Sequence, residues 1–148
     1  VLVPVMGFVD LSKDGVLAEI KTKAPRQGQV KKDGTRSWTK ASLPKEPAWE
    51  HILQAAGDWK ATGATPNIAY VSSVEGVIYN PDNCEKMSED VLNFAIEEIR
   101  RKAITRQNLL AVSTDPKKLA GLMEPDFNHP FYWSHQFVSE AKELWSNV

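Results

Sequence analysis

Three residues near the start of the chain have types and spacing suited to chemistry on phosphate: Asp10, Glu19 and Lys21. Between Asp10 and Glu19 lies Ser12-Lys13-Asp14-Gly15, and Asp-Gly is a strong signal for a two-residue hairpin turn. With that turn, Lys13 faces Val16, Ser12 faces Leu17, Leu11 faces Ala18 and Asp10 faces Glu19. Directly opposed residues have Cβ atoms about 5 Å apart and share one sheet face. Lys21 falls on that face too, because side chains alternate along a strand. The opposite face would carry Val9, Leu11, Ala18 and Ile20 as core.

Two opposed carboxylates at about 5 Å repel by roughly 3 kcal/mol at an effective dielectric near 20. A divalent cation between them turns that repulsion into coordination by hard oxygen ligands, which suits Mg²⁺ or Mn²⁺. Lys21 beside such a cation is placed to orient or deprotonate water, or to stabilise charge on a scissile phosphate. The alternative is structural: one carboxylate pairs with Lys21 and the other is solvated.

The elements that must position these residues are legible in outline. Residues 1–11 and 16–23 read as strands and 24–45 as loop. Glu46-Pro47 opens a helix that carries Trp49, Ile52, Leu53, Ala56 and Trp59 as one apolar stripe and ends at Gly63. Strands are expected over 67–74 and 77–80, and a helix from Ser88 to about Lys102. A short helix follows Asp115-Pro116, and a last one over about 130–145 would bury Trp133, Phe137, Ala141 and Leu144. This order predicts an α/β domain with a mixed β-sheet flanked by helices, undivided over residues 1–148.

Charge is unevenly spread. Between Lys21 and Lys45 eight cations face a single acid, Asp33, a local excess of seven in a chain of net charge -1. Such a cluster favours a polyanion, although a solvated, flexible loop explains it as well. Trp38 inside it is available to stack on a base or to anchor the loop. The one cysteine, Cys84, excludes an internal disulfide, a four-cysteine zinc site and a cysteine-ligated cluster. No apolar run reaches the length of a membrane span, and no phosphate-binding G-x-x-x-x-G-K-[ST] loop is present. A reducing, cytoplasmic setting is the simplest expectation.

Gly7-Phe8-Val9-Asp10 followed by Glu19-Ile20-Lys21 resembles the PD-(D/E)xK nuclease superfamily, and most closely its RecB-type and phage (lambda) exonuclease branch. That branch shows G-x-x-D, then E-x-K, then a helix with Q-x-x-x-Y. Gln54 fits the last motif; Asp58 stands where the Tyr is expected. The resemblance covers roughly residues 5–80 and implies a restriction-endonuclease-like core. It implies Asp10, Glu19 and the Ile20 backbone carbonyl as metal ligands, Lys21 as catalytic lysine, and Gln54 positioning the lysine or the nucleic-acid backbone. It further implies Mg²⁺ or Mn²⁺ as cofactor and DNA as substrate, gripped through Lys23, Arg26, Lys31, Lys32, Arg36 and Trp38. On a helical wheel Gln54, His51 and Asp58 lie off the apolar stripe, toward a cleft or toward water.

The activity so implied is metal-dependent, exonuclease-type hydrolysis in phage or bacterial recombination and repair, in a bacterial or phage-infected cell. A homo-oligomer and a recombination partner protein remain open. The branch usually draws a further acid or His from an upstream helix. Only nine residues precede Asp10, none of them acidic or His, so the domain is expected either to be truncated at its N-terminus or to draw that ligand from elsewhere. A nuclease remnant that binds nucleic acid without cutting it is the alternative.

Overall fold

The structure, a computed structural model, describes residues 4–124 and 135–147. Its elements are β1 (Leu11–Lys13), β2 (Val16–Lys23), β3 (Arg26–Val30), β4 (Arg36–Thr39), α1 (Trp49–Thr62), β5 (Thr65–Ser72), β6 (Gly76–Tyr79), α2 (Glu89–Val112), α3 (Pro116–Ala120) and α4 (His135–Ser146). A four-stranded sheet has the order β1-β2-β5-β6, and β3 and β4 form a separate two-stranded ladder. β1 and β6 run antiparallel to their neighbours while β2 and β5 are parallel, so the sheet is mixed. The fold is therefore α/β, as expected.

The first hairpin has the expected register: Leu11 opposite Ala18, Ser12 opposite Leu17, Lys13 opposite Val16. Its turn holds Asp14 at φ 51° and Gly15 at φ 77°, the left-handed pair that a tight hairpin turn requires. β1 is shorter than the expected strand. The ladder stops at Leu11 because the Asp10 side chain takes over: its Oδ2 accepts the Ile20 N–H at 2.8 Å, a bond a backbone carbonyl would otherwise make.

Two compact units are distinguished, one over Val5–Arg100 and one made largely of Arg101–Val148. In the first, Ile52, Ala55 and Ala56 of α1 meet Ile68 and Tyr70 of β5 and Met87, Leu92 and Ala95. α1 begins after Pro47 and ends at Gly63, which is left-handed at φ 72° and bonds back to Trp59. Trp49 fixes the helix from its other side by donating to Glu98 Oε2 at 2.9 Å.

The core lies on the other face of β2 from the one expected. Leu17 and Glu19 are buried, whereas Leu11 and Ile20 are exposed, together with Val16, Val71 and Ile78 of the same open face. Composition favoured the more apolar face, but α1 and the start of α2 cover the face of Glu19 and Tyr70, and coverage decides burial.

Residues 24–45 hold a second hairpin where loop was expected. Lys31 N–H bonds Thr35 O at 2.8 Å, and Asp33 Oδ1 accepts from the Thr35 N–H at 2.9 Å and hydroxyl at 2.6 Å. These bonds hold the Asp33 carboxyl below its usual pKa. The one acid of the basic segment is thus spent on a turn.

In the second unit, Asp115 caps α3 by accepting from the Lys117 N–H at 3.0 Å, with Pro116 at the first helical position. Ala120 and Ala141 are buried, and the Trp145 indole donates to Met123 O at 3.1 Å. α2 extends ten residues past the expected end near Lys102, since Ala103 to Val112 contains no helix breaker. Trp133 and the Phe137 side chain, expected in the core of α4, lie outside the described residues. Among the described residues no helix is long and apolar enough to cross a membrane.

Candidate functional site

β2 and α1 build the site. Alternation along β2 puts Glu19, Lys21 and Lys23 on the face covered by α1. The parallel register aligns Glu19 with Ile68 and Lys21 with Tyr70. Apolar residues of α1 seat the helix on Ile68 and Tyr70, which turns His51, Gln54 and Asp58 toward the strand end that carries Lys21. These three helical residues therefore face a cleft, not bulk water.

Lys21 is the hub. Its Nζ donates to Glu19 Oε1 in a short ion pair and to Gln54 Oε1 at 3.0 Å. Glu19 is only 4% exposed, and its second oxygen, Oε2, is buried without a hydrogen-bond partner among the described residues. A buried carboxylate oxygen without a donor is costly, so this atom is a candidate to receive a ligand. Asp10 is exposed, with its carboxylate fixed against β2 at Ile20.

Asp58 is the residue the sequence reading undervalued. It stands one turn beyond Gln54, is buried, and has its carboxyl pushed above the usual pKa by burial and then by the charges of Glu19 and Asp10, against the pull of Lys21. Gly7 leaves room for it: a Cβ at that position would come within 3.0 Å of Asp58 Oδ1. Its position one turn after Gln54 was the available signal; the direction of that helix face was not. Gln54 and Asp58 also border a largely apolar cavity of about 360 Å³ against residues 5–9.

Because the Asp58 pKa is raised in the folded state, that state binds the proton more tightly than the unfolded chain. The associated stability is present at low pH and is lost as pH rises through the folded pKa. Asp58→Asn removes the charge that burial disfavours and is accordingly predicted to raise stability at pH 7 by about 1 kcal/mol, a small gain because the amide that replaces it is itself polar and buried. The gain should vanish near about pH 3, where both states are protonated. Urea unfolding at the two pH values checks this; an equal change at both would contradict it.

The rim is aromatic and basic. Tyr70 is 1% exposed, and its hydroxyl accepts the Ala48 N–H at 3.0 Å and lies 2.6 Å from His51 Nδ1. Burial first, then the positive charge of Lys21, lowers the His51 pKa and favours neutral imidazole. Lys23 Nζ stands 6.0 Å from the Tyr70 ring centroid. Arg26 and Arg36 lie on β3 and β4, Lys31 and Lys32 in the connection between them, and Trp38 on β4 is 62% exposed. Arg36 donates to Gln27 Oε1 at 2.6 Å. The hairpin thus presents its cations and its indole to solvent, as a surface that meets a polyanion must.

The donor set at Asp10, Glu19 and the Ile20 carbonyl is all oxygen. Among the described residues no three His, Cys, Asp or Glu side chains are gathered into a metal cage. Mg²⁺ does not require one, since it retains waters and is usually held by one or two carboxylates together with substrate phosphate. Asp10, Glu19 and Ile20 offer oxygens of the type such a cation takes, with Asp10 Oδ2 on the Ile20 N–H and Glu19 Oε1 on the Lys21 ammonium. No family model matches this chain, and neither the curated proteins nor the solved structures searched contain a match to it.

Proposed function

We propose that this chain is a metal-dependent nuclease that hydrolyses phosphodiester bonds of DNA, on a core like that of restriction endonucleases. One observation carries the reading. Glu19 is buried with one oxygen on the Lys21 ammonium, itself held by Gln54, while its other oxygen has no donor among the described residues. An oxygen in that position is available to a hard cation. The basic hairpin and its exposed Trp38 supply the second support, a surface suited to the sugar–phosphate backbone.

In this reading Asp10, Glu19 and the Ile20 carbonyl hold Mg²⁺ or Mn²⁺, which when bound activates water and neutralises developing charge. Lys21 keeps its proton on Nζ and presents it to a phosphate oxygen. Gln54 fixes the direction of that ammonium, and the wall of α1 limits water around it. The resemblance noted in the sequence adds exonuclease action in phage or bacterial recombination and repair to the proposal.

The test is digestion of linear and circular duplex DNA with Mg²⁺ or Mn²⁺ against EDTA, with Asp10→Asn alongside. Metal-dependent loss of the linear substrate alone, abolished in the variant, is expected. If both substrates survive while gel shift shows binding, the chain is a nucleic-acid-binding module and the nuclease reading fails.

A further inference from the structure

The cations of the basic segment do not form one diffuse patch. Where the β3–β4 hairpin leaves the end of β2, a cavity of about 460 Å³ opens, lined by Lys23, Arg26 and Lys40 with the hydroxyl-bearing Thr39 and Ser42. The rest of its lining is apolar, and no acid is among the described residues that form it. Arg26 and Thr39 pair directly across the hairpin, so two of the five polar groups are fixed by a backbone ladder. Lys23 belongs to β2 and Lys40 follows β4, so the cations enter from different segments. Three cations line one hollow, and although solvent and salt screen their repulsion at these exposed positions, an anion inside the hollow would turn it into attraction.

Position gives the hollow its meaning. Lys21 and Lys23 project from the same face of β2, two residues and about 7 Å apart. That step is close to the separation of successive phosphates along a nucleic-acid strand. Lys21 meets Glu19 and Gln54, whereas Lys23 opens onto the cavity.

We propose that this cavity holds the phosphate adjacent to the one presented to Lys21, and so sets the register of the substrate strand in the site. The proposal rests on the nuclease reading and deepens it. The ligand is a phosphodiester of a nucleic-acid strand, and the smallest good substrate has two phosphates: a trinucleotide is held and a dinucleoside monophosphate is not. The sequence-independent grip of the hairpin tip adds affinity for longer strands without setting register.

The experiment is calorimetric titration with the trinucleotide d(TTT) and the dinucleoside monophosphate d(TT) in EDTA, followed by d(TTT) cleavage with Mn²⁺. The proteins are wild type, Arg26→Gln/Lys40→Gln, and Lys117→Gln/Lys118→Gln, which removes two exposed charges from α3. Circular dichroism melts establish that each is folded. The hairpin variant is expected to bind d(TTT) at least tenfold more weakly than wild type, and to lose the preference for d(TTT) over d(TT). The α3 variant should match wild type. On longer single strands the salt dependence of binding should flatten by about 0.7 per phosphate contact removed. Equal binding of d(TTT) by the hairpin variant and wild type would overturn the proposal, as would equal weakening in the α3 variant. Tight d(TTT) binding by wild type without cleavage in Mn²⁺ would instead sink the nuclease reading and leave the phosphate site standing.

Discussion

Lys21→Ala is expected to lower metal-dependent cleavage by about 10²–10⁴-fold, the usual worth of a positioned proton donor or charge stabiliser. The same change removes the partner of a buried carboxylate. Lys21 is 22% exposed and Glu19 4%, so the stability cost belongs near the low end for breaking a buried pair, about 3 kcal/mol. Loss of activity alone therefore proves little, because the variant could be inactive by unfolding. Glu19→Gln added to Lys21→Ala checks the stability part: it removes the uncompensated charge, so the double variant should recover most of the lost stability in urea unfolding. Activity is read on Lys21→Ala alone, at a temperature where circular dichroism shows it folded. A folded Lys21→Ala chain that cleaves like wild type would show that Lys21 serves folding only.

The second large effect concerns Tyr70. Its ring is fully enclosed, lies edge-on to Tyr79 at 6.1 Å between centroids, and meets His51 at 5.5 Å. Its hydroxyl ties the first turn of α1 to β5 through Ala48 and His51. Tyr70→Ala should cost about 3–5 kcal/mol, the toll for emptying an aromatic site in a core. Tyr70→Phe keeps the packing and leaves the Ala48 N–H without its partner, at about 1–3 kcal/mol. Chemical denaturation of both measures the split. If the Phe variant were as unstable as the Ala variant, the hydroxyl and not the ring would be holding α1 on the sheet.

What could be read from the residues follows from how local each signal is. The Asp14-Gly15 turn fixes its own backbone and hence the hairpin register, so the bounds of β2 needed no tertiary information; the expected pairing of Asp10 with Glu19 is not part of the ladder, which ends at Leu11. The α1 stripe with Pro47 and Gly63 marks a helix for the same reason. The face of β2 that is buried was not legible, because Leu11 and Ile20 are as apolar as Leu17 and only the docking of α1 decides between them. The β3–β4 hairpin was hidden by composition: Arg26 to Thr39 is polar and almost wholly exposed, so no alternation of apolar residues marks its strands. The contact of Lys21 with Gln54 matches one of the two roles that the resemblance implied for Gln54, the other being to position the nucleic-acid backbone. The burial of Asp58 beside Glu19 and Asp10 was not, since it depends on how far α1 is rotated about its axis.

The mixed sheet has a consequence for the order in which the chain is assembled. The bond between Asp10 and Ile20 spans 10 residues, that between Lys21 and Gln54 spans 33, and that from Asn67 to Leu17, which accompanies the parallel pairing of β2 with β5, spans 50. Loop-closure entropy rises with these lengths, by about 1 kcal/mol from the first to the second. The β1–β2 hairpin is therefore the most local part of the sheet, while the contacts of α1 and β5 with β2 close longer loops. Lys21 takes its direction through one of those longer closures, so a change that weakens the docking of α1 loosens the lysine while leaving the hairpin that carries it intact.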